Sequence, residues 1–200
     1  MTQEEFFRDD ICAWEGGLSL DPADQGNWFA GEGGAPVLVG SCYGVTGAAL
    51  ARFRQCRTVT PADMAALSRD EAVRVGERLF YREPGFDRLP WDPLVASAVD
   101  FGWGAGPREA VLQMQQMIGA VRDGCLGEKT AAAYHRFVEA HGLSAAASNW
   151  RGRRDAFYHQ IVARRPGNAR FLHGWLRRSA SFLPGTSWWR RFTAAPAAAA

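Results

Sequence analysis

Apolar side chains recur every three to four residues through most of this chain, and that spacing predicts helices. Phe7, Ile11 and Trp14 mark the first stripe. Thr2 and Glu5 open it as a capping box, the Thr2 hydroxyl accepting from the Glu5 amide while Glu5 reaches back, and Gly16 closes it. Residues 17–47 break the pattern. Their glycines, two prolines and short apolar pieces, "PVLVG" and "CYGVT", predict loops with a small hairpin or sheet. Helical spacing then returns. Thr60-Pro61 reads as an N-cap followed by proline at the first helical position. Ser68 with Glu71 reads as a second capping box, ahead of Ala72, Val75 and Leu79. Asp92-Pro93 opens a helix with Leu94, Val95, Ala98 and Val99. Gly106-Pro107 opens another with Val111, Met114, Met117 and Ile118, where the methionines read as core filling. "RDGCLGEKT" predicts a turn into a helix through Phe137 and Val138. A long polar helix is expected from Ser144 towards Arg164. Pro166-Gly167 breaks it, and Asn168 caps a last helix with Phe171, Leu172, Trp175 and Leu176. The tail "TAAPAAAA" is low in complexity and predicts disorder. The fold class expected is mainly α (α+β), a helical body with a small β/loop lobe near the N-terminus.

Composition narrows the class. Hydrophobic residues make up 47% and charged residues 22%, as in ordinary globular proteins. No apolar run reaches the roughly 18 residues of a membrane span. The start, "MTQEEFFRDD", is acidic and lacks an apolar core, so synthesis in the cytoplasm without a Sec signal is expected. Cys12, Cys42, Cys56 and Cys125 form no CxxC pair, and the four histidines show no ligand spacing, so neither a metal nor another cofactor is expected. No serine sits in a GxSxG context, which speaks against a serine hydrolase. Charge is lopsided. Residues 1–150 carry 13 basic and 20 acidic groups, whereas residues 151–200 carry ten arginines and only Asp155. A basic end on an acidic body suits an anionic partner, a phospholipid or envelope surface, through "FLHGWLRRSASFLPGTSWWRRF"; the alternative is a solvated helix face with Trp188 and Trp189 packed inward. The acidic body speaks against nucleic acid.

Candidate chemistry centres on "CAWEGGLSLDPADQGNW". Glu15 lies four residues from Ile11, on the apolar face of the first predicted helix and at its C-terminus. The macrodipole and partial burial both disfavour its charged form there, which suits a general acid. The glycines after it leave room for a bulky substrate. Asp21 and Asp24 follow on a Pro-containing turn. A glycosidic bond is cleaved by an acid on the leaving oxygen and a carboxylate, or a water it holds, on the other face of the sugar. Glu15 with Asp24 can form that pair, and Trp28 and Tyr43 are aromatic platforms on which sugars stack.

"WEGGLSLDPADQGNW" followed by "GSCYGVT" resembles the start of glycoside hydrolase family 108, phage-type N-acetylmuramidases of lysozyme-like fold. The resemblance implies that Glu15 is the catalytic glutamate. "VASAVDFGWGAGPREAVLQMQQMIG", "RDGCLGEKT" and "RFLHGWLRR" resemble the peptidoglycan-associated region that follows such domains. It implies residues 1–88 as catalytic region, 89–183 as a helical peptidoglycan-associated region on the same core, and 184–200 as a basic aromatic segment and tail. It implies a monomeric endolysin acting on bacterial peptidoglycan, beyond the cytoplasm, through a holin-type route or as a virion component. A lytic transglycosylase and a silent wall-binding protein are the competing readings. Two departures stand out. Phe29 replaces the threonine that usually follows the turn tryptophan, leaving Thr46 or Ser41 to help hold water. Gly104 replaces the usual asparagine of the Asp-Phe helix. Asp100 is a candidate cleft residue or, alternatively, an N-cap or ion-pair partner.

Overall fold

The computed structural model describes residues 1–12, 16–31 and 33–194. They form two compact units, Thr2–Glu83 and Met1 with Pro84 onward.

The N-terminal unit opens with α1 (Gln3–Glu5), capped as the sequence predicts. The Thr2 hydroxyl accepts from the Glu5 amide and the Glu5 carboxylate accepts from the Thr2 amide. The helix then widens into a π-helical stretch, Phe6–Ile11, closed by the Cys12 amide donating to Phe7 O. Such widening inside a helix often accompanies functional sites. Phe6, Phe7 and Ile11 are wholly buried. Trp14 and Glu15, the expected end of this helix, lie outside the described residues. Gly16 has φ +69°, the left-handed conformation suited to a residue past a helix end.

The lobe that follows has β1 (Leu18–Ser19), β2 (Trp28–Phe29), β3 (Val37–Leu38), β4 (Ser41–Cys42) and β5 (Val45–Thr46). They form an antiparallel sheet in the order β1-β4-β5 and a separate antiparallel pair β2-β3. Tyr43 and Gly44 alone join β4 to β5, with φ of +52° and +74°. Positive φ at both central residues is what a type I′ hairpin requires. Helix α2 (Gly47–Arg54) starts on Thr46, whose hydroxyl accepts from the Ala49 amide. Gly47 lets the lobe close on this helix, since a Cβ there would meet Val39 Cγ2 at 2.7 Å.

Helix α3 (Pro61–Ala65) is capped by Thr60, and Asp63 completes a capping box that the sequence reading passed over. Helix α4 (Arg69–Gly76) corrects the expected second box. Ser68 caps the Glu71 amide, but the Glu71 carboxylate turns away to Arg54, at 2.8 and 2.9 Å from Nε and Nη2. A bidentate guanidinium outbids one backbone amide. A second π-helical stretch, Glu77–Arg82, continues α4.

The C-terminal unit is helical. Helix α5 (Pro93–Ala105) is buried at every residue from Pro93 to Gly102, so it is the central helix rather than an amphipathic cover. Asp92 caps it and also accepts from the Tyr134 hydroxyl at 2.6 Å. Around it run α6 (Pro107–Ile118), α7 (Glu128–His141), α8 (Leu143–Arg164) and α9 (Ala169–Ser181). Asn168 precedes α9 without a side-chain cap. A further helix, α10 (Ser187–Thr193), follows α9 where the sequence reading had none. The chain is thus mainly α with a small antiparallel lobe near its N-terminus. No helix of the described residues is long and apolar enough to cross a membrane.

Candidate functional site

The segment after Gly17 is stapled into a fixed turn. Asp21 Oδ1 accepts from the Ala23 amide at 2.9 Å, and Asp24 Oδ1 accepts from the Gly26 amide at 2.8 Å. The Asp24 cap starts a short 3-10 turn, Gln25–Asn27. Asn27 is the hub. Its side chain is wholly buried, Nδ2 donates to Asp21 O at 2.9 Å, and its backbone carbonyl accepts from the Val39 and Gly40 amides. The turn is therefore tied at one end to itself and at the other to the chain running from β3 towards β4. Trp28 is 39% exposed, and its indole Nε1 donates to Pro22 O at 3.0 Å. That bond fixes the ring beside the turn while leaving a face open. Leu18, Leu20 and Val37 are exposed in the same lobe.

Thr46 borders the same turn. A Cβ on Gly26 would meet Asp24 Oδ1 at 3.2 Å and Thr46 Cγ2 at 3.3 Å, so Gly26 is the spacer between the two side chains. The Thr46 oxygen is engaged in capping α2, yet its O–H remains able to donate. Ser41 is its cross-strand partner. Tyr43 stands at the hairpin tip and is half-buried. Phe29 packs towards Gly47 and lines a cavity of about 350 Å³ with Val37, Val59 and Pro61. The lobe thus gathers Asp21, Asp24, Asn27, Trp28, Ser41 and Thr46. Glu15, the expected acid, lies outside the described residues. Asn27 had escaped the sequence reading; the signal for it is an asparagine inside "DQGNW", where a side-chain amide can satisfy turn carbonyls.

Asp100 belongs to the C-terminal unit and has the ion-pair role. It is buried, Oδ2 accepts from Arg154 Nη2 at 2.7 Å, and Oδ1 accepts from Arg178 Nε at 2.9 Å. Arg154 is itself buried and donates to Ser97 O and Oγ. Burial pushes the Asp100 carboxyl up, but Arg178 and Arg154 outweigh it and hold it below the ordinary carboxylate range. Both oxygens are spoken for. The closing aromatics also turn inward. Trp188 and Phe192 are buried, ring centroids 5.0 Å apart, and Phe182 lies 4.4 Å from Trp188. In this arginine-rich stretch Arg164, Arg165, Arg170, Arg177 and Arg190 are exposed. Among the described residues no group of three His, Cys, Asp or Glu side chains could hold a metal ion.

Comparison with known proteins bears on what this lobe does. The chain is similar to a solved structure described as "Structure of Brucella abortus SagA", at 22% identity and a TM-score of 0.64. That match covers 88% of this chain and 93% of the other. The likeness concerns the fold, the lysozyme-like arrangement expected from the sequence. No curated protein matches by sequence. Residues 8–106 match the family described as Glycosyl hydrolase 108, a span that includes Asp21, Asp24, Trp28 and Thr46. Residues 109–180 match the Predicted Peptidoglycan domain. The chain belongs to the glycosyl hydrolase 108 family, with a peptidoglycan domain C-terminal to the hydrolase region, and is a peptidoglycan hydrolase of the glycosidase type.

Proposed function

We propose that the protein is an N-acetylmuramidase that hydrolyses the β-1,4 bond between N-acetylmuramic acid and N-acetylglucosamine. The observation that carries this reading is the stapled Asp21–Trp28 turn, inside the hydrolase match and directly after the Glu-Gly-Gly segment. In this reading Glu15 protonates the leaving oxygen. Asp24, or else Asp21, orients the attacking water or stabilises the oxocarbenium-like state. Asp24 is suited to it because one oxygen is pinned by the Gly26 amide, which fixes the direction of the other. Trp28 and Tyr43 supply faces for sugar rings. The exposed arginines of α8 to α10 raise the rate of encounter with an anionic wall or membrane surface, an effect that salt screens. The reading places the protein at the cell wall, as an endolysin released from the cytoplasm or carried by a virion.

The test is digestion of purified sacculi with wild type, Glu15→Gln and Asp24→Asn, products read by mass spectrometry. Wild type is expected to release reducing muramic-acid ends. Glu15→Gln is expected to lose about 10²–10⁴-fold in rate, the usual contribution of a general acid. Anhydro-muramic ends would replace hydrolysis by lytic transglycosylation. Bound sacculi with no released sugar would leave a wall-binding protein without catalysis.

A further inference from the structure

The link between α6 and α7 borders a second cavity, of about 420 Å³, in the C-terminal unit. Small-molecule sites commonly have about this size, roughly 300–1,000 Å³. Gly119, Ala120 and Ala133 give it a floor of small side chains; Lys129 and Arg136 supply two cations, and Asp123 one carboxylate. The link is built around Gln115, which is wholly buried. Gln115 Nε2 donates to Asp123 Oδ1 at 2.7 Å and to Cys125 O at 3.0 Å, and Oε1 accepts from the Gly124 amide at 2.9 Å. Asp123 Oδ1 also accepts from the Cys125 amide at 2.8 Å, which leaves Oδ2 for another donor. Arg108 Nη2 donates to Asp123 O at 3.3 Å. The cavity wall is therefore held in place without a ligand.

Its chemistry points to a peptide. Lys129, Ala133 and Arg136 fall on one face of α7, at positions i, i+4 and i+7. Lys129 and Arg136 stand about 10.5 Å apart along the helix axis. Both are exposed, and neither has an ion-pair partner among the described residues. Three residues of extended peptide span about 10 Å, the same distance. Neutral sugars stack on aromatic faces, and no aromatic side chain lines this cavity.

We infer that this cavity binds the peptide stem of peptidoglycan, its carboxylates on Lys129 and Arg136, its alanine methyls over Ala120 and Ala133, and an amine on Asp123. The inference rests on the wall as substrate and adds a second, peptide-reading site to the glycan-cutting one.

The experiment uses the full chain and three soluble probes. These are the stem peptide L-Ala-γ-D-Glu-meso-diaminopimelate-D-Ala, the same peptide with its carboxylates amidated, and peptide-free glycan strands. Cys125 lines the cavity and is exposed, while exposed Cys56 lies in the other unit, so alkylation by iodoacetamide reads occupancy against an internal control. The stem peptide is expected to bind by calorimetry and to slow alkylation of Cys125 several-fold without affecting Cys56. Amidation of the peptide, or Lys129→Glu with Arg136→Glu, is expected to weaken binding at least tenfold. Binding that ignores the double substitution, or leaves Cys125 unprotected, overturns the assignment. Sacculus digestion by the same wild-type sample separates the two readings. Release of muramic ends with no stem-peptide binding overturns the cavity site alone. Stem-peptide binding with no release supports the cavity site and overturns the muramidase.

Discussion

Asn27 decides whether Asp24 has a fixed direction. Its amide spans the turn to Asp21 O, and its carbonyl holds the Val39 and Gly40 amides. Alanine at this position keeps the backbone bonds, including the one the Asp24 amide donates to Asp21 O, but removes the side-chain tie across the turn. One such hydrogen bond contributes about 0.5–1.5 kcal/mol. Asn27→Ala is therefore expected to unfold at lower urea by that amount and to digest sacculi at least tenfold more slowly, because the loosened turn no longer aims Asp24. Trp28→Phe gives the control. It keeps an aromatic face, smaller by the five-membered ring, and removes the exposed bond to Pro22 O, worth about 0.5–1.5 kcal/mol. Its digestion rate is expected to stay within a few-fold of wild type. An Asn27→Ala protein as active as wild type would show that the turn does not position the carboxylate. The carboxylates and the tryptophan of this turn are visible in the sequence, because residue type alone gives their chemistry. Asn27 is not, since an asparagine that staples a turn and one that faces water read alike.

Helices show the same division between local and distant causes. Thr2, Thr60, Ser68 and Asp92 all cap where the sequence places them, because a cap depends on atoms three residues away. The reciprocal half of the Ser68 box fails because Arg54, seventeen residues distant, takes the Glu71 carboxylate. Both π-helical stretches and helix α10 were illegible for a similar reason. Widening a helix by one residue per turn leaves the apolar residues close to a 3.6 period, and α10 is held by Trp188 and Phe192 meeting Phe182 and Trp91. Gly76 carries the clearest test at this scale. It ends α4, and a Cβ there would stand 2.5 Å from Phe7 Cδ1. Phe7 is wholly buried and cannot swing outward. Gly76→Ala is expected to lower stability by about 1–3 kcal/mol despite alanine's better helix propensity. Gly152→Ala in α8, where an added Cβ meets nothing within 4 Å, is expected to be neutral or stabilising. Equal thermal shifts for the two would remove the steric argument.

For the whole molecule, the Asp100 cluster sets a dependence on acid. Arg154 is buried with Asp100, and Arg178 closes the other side. Removing one member of a buried pair strands the remaining charge, at a cost of about 3–5 kcal/mol. Asp100→Asn is therefore expected to lose about that much stability at pH 7 by urea titration. The pH dependence follows from the direction of the shift. Despite its burial, the Asp100 carboxyl is held below its ordinary range by the two guanidiniums, so the unfolded chain binds its proton first as pH falls. The stabilisation is whole above the unfolded pKa of about 3.9 and drains away as pH drops towards the folded value. Asp92 works with the opposite sign. Burial raises its carboxyl against the hydrogen bond from Tyr134, so its contribution is largest in acid and fades as pH rises through its folded value. That term is common to wild type and Asp100→Asn and cancels in their difference. The stability gap between them is expected to be widest near neutrality and to narrow as pH falls below about 4, where the unfolded chain takes up the Asp100 proton while the folded state resists it. A gap that stays constant across that range would mean that Asp100 holds the helices through shape and hydrogen bonds, and not through its charge.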